Sequence, residues 1–157
     1  MTELRIETKD TVETIEFGQR IGTRLHGGAV IAVYGTLGAG KTQFVKGLAV
    51  GIEIRDEVAS PTFAICVPYS GRLNLLHVDA YRLKHEGELD ELELDEARAD
   101  GSVVVVEWPD GIEHCLPPID LSVSMTVKDQ NCRQIRVHSL SPVGHEIISG
   151  IRSILDN

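Results

Sequence analysis

The sequence predicts an α/β protein with a mixed central β-sheet flanked by helices, and three observations carry that expectation. Residues 29–34 and 102–107 are apolar runs without polar alternation, the pattern of strands buried on both faces. Segments whose apolar residues recur at helical spacing lie between the apolar runs. A glycine-rich turn then joins the first buried strand directly to a helix, as in strand–loop–helix units.

The elements are expected in the following order. Residues 4–8 alternate as a short strand. Asp10, with Glu13 three residues later, predicts a helix start ahead of Val12, Ile15, Ile21 and Leu25, and Gly27-Gly28 is expected to end that helix. After the buried strand at 29–34 and the turn, Phe44, Val45, Leu48 and Ala49 mark a second helix, which Gly47 and Gly51 are expected to weaken or end. Residues 62–67 and 73–78 read as a hairpin around Ser70-Gly71, so part of the sheet should be antiparallel. Residues 84–100 hold eight of the 24 acids together with Leu89, Leu92 and Leu94. They suggest a solvated amphipathic helix with its leucines inward, or a docking surface for a basic partner. A buried strand at 102–107, a strand pair at 121–127 and 134–140, and a helix at 142–155 complete the order.

A length of 157 residues without linker, repeat or low-complexity tract suits one domain spanning residues 1–157. A hydrophobic content of 42% with 25% charged residues argues against a disordered or collagen-like chain. No apolar run approaches the roughly 18 residues of a membrane span, and MTELRIETKD lacks the apolar core of a secretory signal, so a cytoplasmic protein without membrane contact is expected. The net charge of -9 is opposite to that of a stand-alone nucleic-acid binder, so any contact with RNA should run through a partner. Cys66, Cys115 and Cys132 form neither a disulfide framework nor a paired zinc pattern, and are expected as reduced, mostly buried thiols. The six histidines show no ligand spacing and read as scattered surface or core residues.

The chemistry concentrates at residues 35–42, GTLGAGKT, which fit G-x-x-x-x-G-K-[ST] with the strand before and helix after that a phosphate-binding loop requires. This makes the expected fold a single P-loop NTPase domain. Gly35, Gly38, Ala39 and Gly40 should let backbone N–H groups converge on phosphates, with Gln43 a further nucleotide-binding position at the helix start. Lys41 should reach the β and γ phosphates and Thr42 should hold magnesium. Glu107 ends the run of four valines as a Walker B carboxylate, and Asp79 ends another apolar strand at the same crevice. Either acid could order the metal or orient the attacking water. Ser60 and Thr62 lie where a nucleotide-sensing switch could sit, though Ser60-Pro61-Thr62-Phe63 by composition would pass for a turn. Tyr81 could be core, Arg82 a surface charge or a cation acting on the transferring phosphate, and Trp108 a packing residue. No glycine has an aspartate three residues before it and no asparagine precedes a lysine, so the guanine-specific signatures are missing and ATP is favoured.

Taken together, GTLGAGKTQF, SPTF, HVDAYRL, ELDELELDE and VVVVEWPD resemble the bacterial ATPase subunit of tRNA threonylcarbamoyladenosine biosynthesis, the TsaE (YjeE) family. The resemblance covers nearly the whole chain and is densest over residues 34–110. It implies a small ATPase using ATP and Mg2+, whose cycle supports threonylcarbamoyl transfer to tRNA. The transfer itself would be performed by a separate transferase acting with its inactive paralogue, on which the ATPase docks, so that tRNA is met only indirectly. By motif, Thr42 and Glu107 match the magnesium positions and Asp79 the acid of HxDxYRL. Ser60 and Thr62 match the switch-like segment, Trp108 the residue after the Walker B acid, and Thr11 and Arg133 further nucleotide contacts. The chain departs from the family where Thr36 replaces an acid, Cys132 a glycine, and Glu93 the glycine of a Leu-Gly-Leu. Two other readings of the same loop are a small-molecule P-loop kinase and a nucleotide-gated assembly module with negligible turnover.

Overall fold

The computed structural model describes residues 2–59 and 64–156. The expected switch residues Ser60 and Thr62 therefore lie outside the described residues. Among the described residues, seven strands and five helices follow in the order β1 (Glu3–Thr8), α1 (Thr11–Gly22), β2 (Val30–Gly35), α2 (Lys41–Gly51), β3 (Cys66–Tyr69), β4 (Leu75–Asp79), α3 (Gly87–Asp90), α4 (Leu94–Ala99), β5 (Val103–Glu107), β6 (Leu121–Val127), β7 (Arg133–Ser139) and α5 (Pro142–Leu155). Single 3-10 turns stand at Ala80–Arg82 and Glu113–Cys115.

The strands form one sheet in the order β1-β7-β6-β2-β5-β4-β3. Its centre is parallel, with β2 paired to β5 and β6, and β4 paired to β5. Its margins are antiparallel, β3 on β4 at one side and the β6–β7–β1 meander at the other. The mixed α/β architecture and the hairpin are as the sequence predicts. The parallel register aligns Val33 with Glu107 and Glu107 with Asp79, so three strand ends open at the same edge as the glycine-rich turn.

Helices on both faces explain why β5 needs no polar alternation. Val103 and Val105, with Ile31, Val33, Leu75 and Val123, face a large core closed by α1, α2 and α5. Val104 and Val106, with Val30 and Val78, face a smaller one closed by Leu89, Leu94 and the segment carrying Ile112, Leu116 and Ile119. The C-terminal helix begins as its sequence suggests, with Ser141 Oγ accepting from Gly144 N at 3.1 Å and Pro142 at the first helical position.

Several boundaries differ from the sequence expectation. Helix α1 stops at Gly22 with Thr23 as its cap, well before Gly27-Gly28. β3 begins at Cys66 and runs to Tyr69, β4 spans Leu75–Asp79, and β7 runs from Arg133 to Ser139, each later or earlier than expected by a residue or more. Residues 84–100 do not form one helix: α3 and α4 are separate, and Glu93 between them has φ +52°. That left-handed conformation costs a side-chain-bearing residue about 1–2 kcal/mol, and it stands where the resembled family has glycine. The leucines still point inward, Leu89 and Leu94 fully and Leu92 partly buried. All three cysteines are free and half-buried rather than mostly buried.

Helix α2 ends at Gly51, as expected, but runs through Gly47, and both glycines also provide space for a neighbouring helix. A Cβ on Gly47 would lie 1.9 Å from the Ile15 carbonyl oxygen and one on Gly51 2.5 Å from that of Gln19. From the other side, Gly18 and Gly22 meet the carbonyls of Phe44 and Leu48, both at 2.3 Å. Ile15 meets Gly47 and Gly22 meets Gly51, so α1 and α2 run parallel with their backbones in near contact. Gly47→Ala is expected to destabilise the protein by about 1–3 kcal/mol, and its thermal midpoint should fall by several degrees despite alanine's better helix propensity. An unchanged or raised melting temperature would refute the close approach.

Candidate functional site

The glycine-rich turn is shaped by its backbone. Gly38 (φ +81°) and Gly40 (φ +95°) occupy the left-handed region that favours glycine, and Ala39 N–H closes the turn on the Thr36 carbonyl at 3.0 Å. Gly40 caps α2 without a side chain, and the first turn of α2 has no acid, so its N–H groups and positive end have no side-chain partner. The start of α1 is different: Asp10 Oδ1 accepts from Glu13 N at 2.8 Å, and Glu13 Oε2 accepts from Lys9 N at 2.7 Å. Because the helices are parallel, both starts open on one cavity of about 370 Å3. Thr11, Gly38, Gly40, Lys41, Thr42, Gln43, Glu107, Trp108 and Arg133 of the expected site line it, joined by Asp10, Thr14, Leu37, Gln130 and Asn131. With α1 already capped by carboxylates, the end of α2 is the one suited to an anion.

Lys41 is buried and folded back on its own loop. Its Nζ donates to the carbonyls of Gly35 (2.6 Å) and Thr36 (3.0 Å) and lies 3.9 Å from the centroid of the Trp108 ring. Burial pushes the ammonium below the usual lysine range, against the opposing charges of Glu107, Asp110 and Asp79. Trp108 reaches this position through a left-handed backbone (φ +57°), which is costly for so bulky a residue, with its N–H on the Val33 carbonyl at 3.3 Å. Tyr81, largely exposed, packs its ring 4.9 Å from that of Trp108.

Glu107 is buried at the end of β5. The Thr42 hydroxyl donates toward its carboxylate, 3.3 Å from Oε1 and 3.5 Å from Oε2, and His77 Nε2 pairs with Oε2. His77 is wholly buried and its Nδ1 has no partner among the described residues, which leaves Nε2 as the nitrogen that donates to Glu107. A threonine hydroxyl beside a carboxylate is a hard, all-oxygen donor pair. It fits magnesium, which takes a few protein oxygens and keeps several waters.

Asp79 sits beside Glu107 in register, yet its oxygens are engaged elsewhere: Oδ1 accepts from Tyr81 N at 3.1 Å and Oδ2 from Arg82 Nε at 3.4 Å. It holds the 3-10 turn that follows β4, and Asp79, Tyr81 and Arg82 do not line the cavity. Arg133 does line it, and also straps it. Its Nε donates to Ala39 O (3.1 Å) and Nη2 to Gly38 O (3.2 Å), while Nη1 donates to carbonyls of the 128–132 turn, including Asp129 O at 3.0 Å. His77, like the cavity-lining Asp10, Thr14, Leu37, Gln130 and Asn131, was not among the expected site residues. The signal was its place two residues before Asp79, on the same face of a strand.

The fold and this loop define a nucleotide-binding protein of the P-loop NTPase fold. The family model described as threonylcarbamoyl adenosine biosynthesis protein TsaE matches residues 8–135, and the chain belongs to that family. It is 36% identical over 134 residues to the tRNA threonylcarbamoyladenosine biosynthesis protein TsaE of Treponema pallidum, covering 85% of this chain and 99% of the relative. To the protein of the same name in Bacillus subtilis it is 38% identical over 136 residues, covering 86% and 85%. The crystal structure of Bacillus subtilis YdiB superposes with a TM-score of 0.81 at 29% identity, over 99% of this chain and 97% of that one. Among the described residues no helix is long and apolar enough to cross a membrane.

Proposed function

We propose that this chain is a single-domain, magnesium-dependent ATPase subunit of the bacterial machinery that makes N6-threonylcarbamoyladenosine in tRNA, acting in the cytoplasm. The observation that carries the reading is the meeting of Lys41, Thr42 and Glu107 at the unpartnered start of α2, in a chain of the TsaE family.

The α2 amides and Lys41 bind the β and γ phosphates of ATP, and Lys41 exchanges its two carbonyl partners for phosphate oxygens. Thr42 and Glu107 would hold Mg2+, and that ion would supply charge neutralisation to the phosphates. His77 fixes the Glu107 carboxylate toward Thr42. Thr11 and Arg133, which also line the cavity, contact the nucleotide. Asp79 orders the Tyr81 and Arg82 segment, and that segment, with Ser60, Thr62 and Trp108, carries the nucleotide state to the partners. Those partners are a threonylcarbamoyl transferase and its inactive paralogue, and the acidic chain meets tRNA only through them.

ATP turnover should be measured for the purified chain with magnesium, alone and with the transferase pair. Slow turnover alone with strong stimulation by the pair, absent in Lys41→Ala, is the expected result. Unchanged turnover and no association would favour the small-molecule kinase, with phosphorylated acceptor formed in step with ADP. Nucleotide-driven association without turnover would leave an assembly module.

A further inference from the structure

Below the smaller core face, three side chains that take no part in the nucleotide site converge on one point. Glu86 precedes α3, while His114 and Cys115 stand in the 3-10 turn between β5 and β6. His114 Nε2 lies 3.3 Å from the Glu86 carboxylate, Cys115 Sγ lies 3.5 Å from Glu86 Oε2, and the three potential ligand atoms all fall within 4.8 Å of one another. In a tetrahedral zinc site, bonds of about 2.0–2.1 Å to nitrogen and oxygen and about 2.3 Å to sulfur separate an N–O ligand pair by about 3.3 Å and an S–O pair by about 3.5 Å. The two separations seen here match those edge lengths, and the sulfur–nitrogen pair lies within 4.8 Å.

We propose that Glu86, His114 and Cys115 form a binding site for a zinc-class divalent cation. The donor set decides the class of metal, because thiolate with imidazole suits zinc and its neighbours and is avoided by magnesium and calcium. The fourth position falls to water or to Asp90, one helical turn from Glu86, whose charge bears on the Cys115 thiol. Without metal, the Cys115 thiol donates to the Glu86 carboxylate. Binding replaces the S–H bond with a metal–sulfur bond and releases the proton to water. Glu86 and His114 are exposed, so a cation can enter from solvent. Once bound, it would pin α3 to the segment that follows Trp108. Cysteine and histidine spacing could not reveal this set, because its members come from segments 28 residues apart.

The test is a Co2+ titration of the reduced, chelator-stripped full chain. A sulfur-to-cobalt charge-transfer band should saturate at one equivalent, disappear on adding zinc, and persist in excess magnesium. Cys115→Ser should abolish the band, the double variant Cys66→Ser, Cys132→Ser should keep it, and Glu86→Gln should weaken zinc binding by about tenfold or more. Metal-free melting curves of Cys115→Ser and the parent should coincide, since the thiol is half-exposed. No band in the parent chain, a band that survives Cys115→Ser, or zinc affinity unchanged in both Cys115→Ser and Glu86→Gln would each overturn the proposal and leave a hydrogen-bonded surface trio. None of these results depends on ATP hydrolysis.

Discussion

Lys41→Ala is expected to abolish measurable ATP binding while leaving the fold intact. A buried ammonium beside the open end of α2 is positioned to meet the most highly charged part of the ligand. A charge-assisted hydrogen bond contributes about 1.5–3 kcal/mol, so losing two of them weakens affinity by about two to four orders of magnitude. The fold should survive because the two carbonyls that Lys41 now holds belong to a loop that Arg133 also straps through Gly38 and Ala39. Glu107 likewise keeps His77 and Thr42 as partners. Calorimetric titration with ATP and magnesium, beside a melting curve, checks both halves. Binding within about tenfold of the parent chain would show that the backbone amides suffice and that the lysine acts elsewhere.

Glu107→Gln should separate turnover from affinity. Glutamine has nearly the same shape, and its amide oxygen can still accept from Thr42 and His77, so the local packing of β4 against β5 is retained. What disappears is a full negative charge at the metal-side oxygens. In the proposed function, ground-state binding rests mainly on the α2 amides and Lys41, whereas the carboxylate acts where charge redistributes as the terminal phosphate departs. Losing one preorganised electrostatic contact of this kind costs about 2.7–4 kcal/mol in the barrier, a fall of about 10²–10³ in kcat. The dissociation constant for the nucleotide should move only a few-fold. Single-turnover rates and equilibrium binding on the same preparation decide it, and equal losses in both would overturn the division of roles.

The parts of the site that were legible in the sequence are those whose chemistry is local in the chain. The phosphate loop occupies eight consecutive residues between a buried strand and a helix, so Lys41 and Thr42 follow from pattern alone. Glu107 was legible because four valines with no polar alternation fit a doubly covered strand, and a carboxylate directly after them stands at that strand's end, beside the phosphate loop. The His77–Glu107 pair depends on the register of β4 against β5, which nothing within either strand specifies. The role of Gly47 was hidden because propensity measures the backbone entropy a glycine loses and is silent about a second helix that needs its missing Cβ. The strap formed by Arg133 was hidden for a similar reason. Its carbonyl partners Gly38 and Ala39 lie 95 and 94 residues away, brought near by the β6–β7 hairpin.

That same glycine contact determines how the cavity can breathe. With α1 and α2 in near backbone contact along Gly18, Gly22, Gly47 and Gly51, the two helix starts that form one wall cannot part or slide without an atomic clash or loss of the core behind them. They behave as one rigid block. Widening of the cavity therefore falls to the opposite wall, the exposed 128–132 turn, whose ties to the phosphate loop run through the hydrogen bonds of one arginine. Those bonds can exchange with water one at a time, so admission of a ligand becomes a hinge motion of a hairpin tip against a fixed anvil, with Lys41, Thr42 and Glu107 left undisturbed.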